Sequence, residues 1–275
     1  MTTYELYTVH HKNDCQIETF KRFFTPIQAG ASLNNIELGV IKDNENGTLS
    51  KYNNLYCEVS TFDEIFNRTT SDYIGIMHYR RMLTAPKKGQ VLAKMLWRRW
   101  LRLARKPEIT IKGEFLINNH INLQRECLNL LDYMGKNISN FDIITPHKIT
   151  TCPSKMKDHY EKNHVAQHYK TFRDVLISLN PIYHECFEKA EHLSYGYFYN
   201  IFIMKRQIFT TYWSDLSVAL QKTRSATNVD GLDVQEQRYL GFLAERYMNV
   251  FLIKLRLENP GLIHKELPVA NIRIV

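Results

Sequence analysis

The stretch that most constrains this chain is Asp72-Tyr73-Ile74-Gly75-Ile76-Met77-His78-Tyr79-Arg80-Arg81. Tyr73 to Met77 is a short apolar run, the length and flanking expected of a buried strand. It stops on four residues a core cannot use: His, Tyr, Arg and Arg. In α/β folds, ligand sites gather where strands end at their carboxyl edge. Two guanidiniums and an imidazole delivered there make a fork suited to a phosphate or a carboxylate. The same residues would also serve a plain solvated loop, so the rest of the chain has to discriminate.

A length of 275 residues suits one large α/β domain, or one domain with an insertion, and leaves a two-domain split open. Hydrophobic residues are 44% and charged residues 23%, ordinary for a globular core. The formal charge of +8 favours an anionic partner such as a nucleotide, a lipid phosphate or a nucleic acid. Sixteen tyrosines exceed what a core needs and suggest grooves that contact sugars, bases or interfaces. Cys15, Cys57, Cys127, Cys152 and Cys186 are odd in number and widely spaced, which argues against a disulfide framework or a zinc cluster and for a reducing cytosol. The N-terminus shows no signal-peptide pattern, and no apolar run approaches the ~20 residues that span a bilayer.

Glu5 to Val9 reads as a first strand, ending on His10-His11-Lys12. Phe24 to Ala29 and Ile36 to Ile41 are short extended pieces, and Asp43 to Gly47 is a turn. Ser50 is placed to cap a helix running through Asn67, and the Tyr73 strand follows it; this order predicts parallel pairing of the two flanking strands. Further on come a strand at Phe141 to Pro146, a long helix from Lys155 to Leu179 closed by Asn180-Pro181, and a second helix to His192. A strand over Tyr197 to Met204, a helix over Phe209 to Lys222 and a final helix over Val234 to Leu255 complete the pattern.

One segment differs from the rest. Gln90 to Lys106 carries Lys94, Arg98, Arg102 and Arg105 at helical spacing, with Leu92, Leu96, Trp100 and Leu103 on the opposite side. That is the pattern of a basic amphipathic helix lying in an anionic membrane interface, an insertion at about 86–112; a helix packed on the sheet with a solvated basic face is the alternative. Lys94, Trp97, Arg98, Trp100 and Arg102 are the expected membrane contacts.

Other candidate chemistry is thinner. Asp43-x-Glu45 is the nearest approach to an Asp-x-Asp metal motif, but a turn explains acidic residues there. His164 and His168 have the spacing of a helical metal pair without a zincin glutamate, and read as surface histidines. Neither a Gly-x-x-x-x-Gly-Lys-Ser/Thr loop nor a Gly-x-Gly-x-x-Gly occurs, which excludes the usual kinases and dinucleotide enzymes. A non-enzymatic basic protein that binds membrane or nucleic acid stays the alternative reading, although no nucleic-acid-binding signature appears.

Five blocks in order resemble a family of bacterial glycosyltransferases from capsule and O-antigen (lipopolysaccharide) gene clusters, long described only as a domain of unknown function, some members of which are galactofuranosyltransferases. The blocks are Ser50-Lys51-x-Asn53-x-x-Tyr56-Cys57-Glu58, Tyr73-Ile74-Gly75-x-x-His78-Tyr79-Arg80-Arg81, Asp142-Ile143-Ile144-x-Pro146, Asn200 to Lys205, and Arg238-x-x-Gly241-Phe242-Leu243-Ala244-Glu245. The resemblance implies a single Rossmann-like, GT-A-like α/β domain with a mixed, mostly parallel sheet flanked by helices. It implies transfer of a hexose, galactose or galactofuranose, from a UDP-sugar to a lipid-linked glycan, with inversion, by an enzyme on the cytoplasmic face of the membrane. Where related enzymes carry a metal-binding Asp-x-Asp, this chain has His78-Tyr79-Arg80. Arg80, Arg81, His78 and Tyr79 are therefore expected at the donor diphosphate, with preorganised cations in place of a required metal cofactor. His10, His11, Gln28, Gly30 and Asn53 are expected around the nucleotide, Asn200 beside the acceptor, and Asp233, Glu236 or Glu245 as the base that takes the acceptor's proton.

Overall fold

The computed structural model describes residues 2–86 and 115–274. The segment expected to form the basic amphipathic insertion, with Lys94, Trp97, Arg98, Trp100 and Arg102, lies outside the described residues.

The chain opens with β1 (Tyr4–His10), buried continuously from Leu6 onward, as a strand covered on both faces requires. It continues through α1 (Ile17–Phe20), β2 (Thr25–Gln28), β3 (Ile41–Lys42), α2 (Asn53–Tyr56), α3 (Ser60–Arg68), β4 (Tyr73–His78) and β5 (Arg81–Leu83). After residue 114 come β6 (Phe115–Ile117), α4 (His120–Asn137), β7 (Ile143–Pro146), β8 (Ile149–Thr150), α5 (Met156–Asn163), α6 (Ala166–Leu179) and α7 (Ile182–Glu191). The last part comprises β9 (Tyr195–Gly196), β10 (Phe202–Lys205), α8 (Arg206–Ser225), α9 (Val234–Gln237), α10 (Tyr239–Glu258), β11 (His264–Leu267) and β12 (Val269–Ile272).

The main sheet runs β11-β7-β10-β4-β1-β2-β3, with β5, β12 and β6 extending from the β4 end. β1 pairs in parallel with both β2 and β4, as the strand–helix–strand order predicts. Only β10 is reversed within the main run, antiparallel to β4 and to β7. The carboxyl ends of β1, β2, β3, β4, β7 and β11 therefore share one edge, where β10 begins. The order β3-β2-β1-β4 is that of the first half of a doubly wound sheet, which opens a ligand crevice between the ends of β1 and β4.

One face of the sheet is covered by α3, α6, α7, α8 and α10, and the other by α1 and α4. Phe62 on α3 shows the packing: its ring centroid lies 5.7 Å from Phe202, 6.2 Å from Phe209 and 5.7 Å from Trp213, fully buried. Gly75 is glycine because β4 is central, and a Cβ there would run into Leu6 and Ile203 from the strands on either side.

Several elements break where periodicity alone predicts continuity. The helix expected from Ser50 to Asn67 is interrupted at Cys57, whose backbone is left-handed with φ +53°. Ser50 does not cap it; its hydroxyl donates to Asp43 Oδ1 instead. The long helix expected at Lys155 to Leu179 divides at His164-Val165 into α5 and α6. The strand expected from Tyr197 shrinks to Phe202–Lys205, because Tyr199 (φ +80°) and Asn200 (φ +51°) turn the chain first. The extended piece expected at Ile36 to Ile41 survives only as β3.

Candidate active site

At the β1–β4 crevice, Tyr79 N–H donates to Val9 O at 3.1 Å, so the chain leaves β4 pressed against the end of β1. His10 points inward: its ring bonds Asp14 Oδ2 at 2.8 Å and Thr8 Oγ1 at 3.1 Å, which makes it a brace. His11 turns outward, its ring 5.0 Å from that of Tyr79 and edge-on to it. The Arg80 guanidinium lies 5.0 Å from the Tyr79 centroid, and Lys12 Nζ 6.0 Å from it. Arg81 Nε donates to Asn271 Oδ1 at 3.2 Å, and its guanidinium sits 4.3 Å from the Tyr199 ring centre. Lys12, Arg80, Arg81 and Arg273 line one cleft of about 470 Å³; Asp14, also in its lining, is already paired with His10. Partial burial, with Arg80 and Lys12 adding to it, holds His11 below its ordinary pKa and so neutral. A cleft of this charge attracts anions.

Beside the cleft stands a pair of carboxylates. The kink at Cys57 turns Glu58 towards the sheet edge, where Asn200 Nδ2 donates to its Oε1 at 2.7 Å. His78 Nε2, at the end of β4, is 3.8 Å from the same oxygen. Glu245 reaches the same place from α10, its Oε1 accepting from Tyr199 N–H at 3.1 Å and its Oε2 from Arg246 Nη1 at 2.8 Å. Gly241 keeps the approach close: a Cβ there would lie 3.1 Å from Cys57 Sγ. Burial raises the pKa of both acids; the charge of Glu58 raises Glu245 further while Arg246 opposes it. Burial pushes His78 down to about 3, with Arg81 and His10 contributing, so it is neutral. His78 Nε2 and Asn200 Oδ1 are buried with no hydrogen-bond partner among the described residues.

Strain concentrates at this point. Cys57, Tyr199 and Asn200 are the non-glycine residues with left-handed φ among the described residues, and all three adjoin the carboxylate pair. Such conformations cost on the order of 1–3 kcal/mol each and persist where surrounding contacts over-determine them, most often at functional sites.

The other candidates stand apart from this centre or brace it. Gln28 donates to Ile36 O at 2.7 Å, and Asn53 to Cys57 O at 2.6 Å and Ser60 Oγ at 2.9 Å. Gly30 takes φ +70°, and a Cβ on it would lie 2.8 Å from Asn53 Oδ1. Asp43 is fully buried and accepts from Gly30 N, Ala31 N, Ser50 Oγ and Ser60 Oγ, a structural hub rather than a metal motif; Glu45 pairs with Arg68. Asp233 and Glu236 form a reciprocal capping box at the start of α9, Glu236 N–H donating to Asp233 Oδ1 at 2.7 Å and Asp233 N–H to Glu236 Oε2 at 3.1 Å. His164 and His168 are not surface histidines: His164 stacks on Phe242 at 4.2 Å, and His168 is buried against Tyr239 at 4.3 Å. Of the candidate bases, Glu245 alone lies beside His78 and Asn200. Glu58 is the residue the sequence reading passed over, although it closes one of the five blocks.

A family model described as a domain of unknown function, DUF4422, matches residues 5–256. The chain belongs to this family. A search of curated proteins gave no match. Among solved structures, the chain is similar to one described as the apo structure of the bifunctional glycosyltransferase WbbM, with a TM-score of 0.82 and 24% sequence identity over 98% of this chain. The chain spans 45% of that protein. The family member described here thus has a GT-A-like α/β fold, a mixed sheet with helices on both faces. No helix among the described residues is long and apolar enough to cross a membrane.

Proposed function

We propose that this chain is an inverting glycosyltransferase that moves a hexose, galactose in its furanose or pyranose form, from a UDP-sugar to a lipid-linked capsule or O-antigen glycan. The observation that carries the reading is that Arg81 joins two different environments at one sheet edge: it lines the cleft of cations, and its guanidinium lies against Tyr199, whose N–H holds one of a pair of half-buried carboxylates. The likeness to WbbM supports the reaction class. In this reading Arg80 and Arg81 hold the diphosphate, and His78, in its Nε2–H tautomer, donates to a phosphate oxygen beside Glu58. Charge developing on the leaving group is met by fixed cations, so no divalent metal is required.

The base must have an oxygen open to the acceptor. Both oxygens of Glu245 are engaged by other residues, Tyr199 and Arg246, whereas the Glu58 carboxylate takes only Asn200 Nδ2 and its own backbone N–H. Glu58 therefore takes the proton of the acceptor hydroxyl. The freed oxygen attacks the anomeric carbon, and the bond from that carbon to the phosphate oxygen breaks with its electron pair leaving on UDP. Burial raises the Glu58 carboxyl above its ordinary range, and Glu245 beside it titrates together with it as a coupled pair. The basic amphipathic stretch around Lys94, Trp97, Arg98, Trp100 and Arg102 would hold the enzyme at the cytoplasmic membrane surface, where lipid-linked acceptors reside.

Calorimetric titration of UDP, in excess chelator and then with Mn²⁺, tests the donor site. Binding that ignores the chelator and weakens at least tenfold in Arg80→Ala is expected. Binding that appears only with Mn²⁺ overturns metal independence, and no UDP binding in either buffer overturns the glycosyltransferase reading.

A further inference from the structure

Arg238 belongs to neither strand that builds the cationic cleft. It joins α9 to α10 and lies against Cys57, the residue before Glu58, whose Oε1 is 3.8 Å from His78 at the end of β4. Its Nε donates to Cys57 Sγ at 3.2 Å and its Nη1 to Gln235 Oε1 at 3.2 Å, while the guanidinium lies 5.5 Å from the Phe242 ring centre. The thiol contact anchors it over the same left-handed kink that delivers Glu58. Glu236, two residues earlier, is turned away into its capping box, and no carboxylate pairs with Arg238 among the described residues. The side chain nonetheless remains exposed. Its charge is felt by Glu58 and by His11 and Tyr79, the two rings that Arg80 also faces.

Arg80 and Arg81 thus approach the crevice from the strand side and Arg238 from the helix side. An unpaired guanidinium is a forked donor, matched to phosphate oxygens. As the sugar–phosphate bond breaks, the departing diphosphate gains one negative charge, so a cation opposite Arg80 is placed to stabilise it. We propose that Arg238 is a diphosphate-binding residue that closes on the nucleotide-sugar donor from the side opposite Arg80. This rests on the donor reading above.

The test is calorimetric titration of UDP and of UMP into the wild-type chain, Arg238→Gln and Arg238→Lys, with thermal melts to establish that each variant is folded. Arg238→Gln is expected to weaken UDP about 10- to 100-fold, the worth of a hydrogen bond to a charged group, and UMP much less. Arg238→Lys should recover part of the loss, because it keeps the charge without the fork. A folded Arg238→Gln that binds UDP like the wild type would overturn the proposal while leaving the donor reading intact. Equal losses for UDP and UMP, with no recovery in Arg238→Lys, would assign Arg238 to packing around Cys57 and also overturn it. Wild-type protein that fails to bind UDP removes the donor reading itself, and this inference with it.

Discussion

Two carboxylates stand at the same sheet edge, each beside a histidine, and they have opposite fates. Glu266, near the end of β11, accepts from Tyr197 Oη at 2.8 Å and lies 3.2 Å from His147 Nδ1. Burial alone would raise its pKa, but the hydrogen bonds from His147 and Tyr197 outweigh it and lower the value to about 2. Glu58 is half-buried, with Asn200 as its one donor from another residue and a neutral histidine at 3.8 Å; desolvation outweighs these and its pKa rises. The number and aim of donors, rather than burial, decide which acid is structural and which is poised for proton transfer. The strain has the same distribution, since Cys57, Tyr199 and Asn200 surround Glu58 and Glu245.

Exchanging each acid for its amide is the strongest way to break this comparison. Glu58→Gln should lower kcat by about 10²–10⁴, the usual contribution of a general base, with little loss of stability because a poorly satisfied buried charge is removed. Glu266→Gln should leave kcat within a few-fold of the wild type and cost about 2 kcal/mol of stability near neutral pH, given its lowered pKa. The sign follows from that depression. Glu266 stabilises the fold above the ordinary glutamate pKa, and the gap between variant and wild type should close as pH falls from about 5 towards 2. Chemical unfolding across that range measures it. A Glu266→Gln enzyme as inactive as Glu58→Gln would move the chemistry to β11.

The coupling within the pair gives a smaller effect with a definite direction. A base with a raised pKa makes kcat fall as the solution is acidified, beginning above the ordinary carboxylate range. Glu245→Gln removes a neighbouring negative charge and leaves Arg246 uncompensated. The two carboxyls titrate as a coupled pair, so losing one of the two like charges should move the acid limb of the kcat profile to lower pH. A limb that stays in place would show that Glu58 does not titrate in the rate-determining step.

The parts of the fold that depend on local periodicity were legible. Tyr73 to Met77 is a central strand with its cations at the carboxyl end, and α8 buries Tyr212, Trp213, Leu216 and Leu220 together. The Glu58 site was not legible, because it depends on kinks at residues with no intrinsic preference for left-handed backbone. Cys57 and Tyr199 carry no such signal, and only Asn200 is a residue that visits that region readily. The competition that removed Ser50 from its capping role comes from Asp43, a tertiary partner that no helix rule includes. His10 and His11 are adjacent and chemically identical, yet one is locked by Asp14 and Thr8 while the other is exposed, edge-on to the Tyr79 ring. The alternation of a strand puts neighbours on opposite faces, but which face holds the ligand is set by the layers packed on the sheet.

Asp233 and Glu236 supply a third kind of carboxylate and the smallest predicted effect. Sequence position made them candidates for the base, at the start of a late helix. The structure has them satisfy backbone donors of that same helix end, in the reciprocal pattern of a capping box. Neither shows the partners that distinguish Glu58, namely a buried amide, a neutral histidine and a strained backbone. Asp233→Ala should therefore cost about 1 kcal/mol of stability, as loss of a helix cap does, and leave kcat within twofold at saturating donor and acceptor. Should kcat instead fall a hundredfold with UDP affinity preserved, the proton would have to leave through α9, and Glu58 would become the partner that tunes it rather than the group that accepts it.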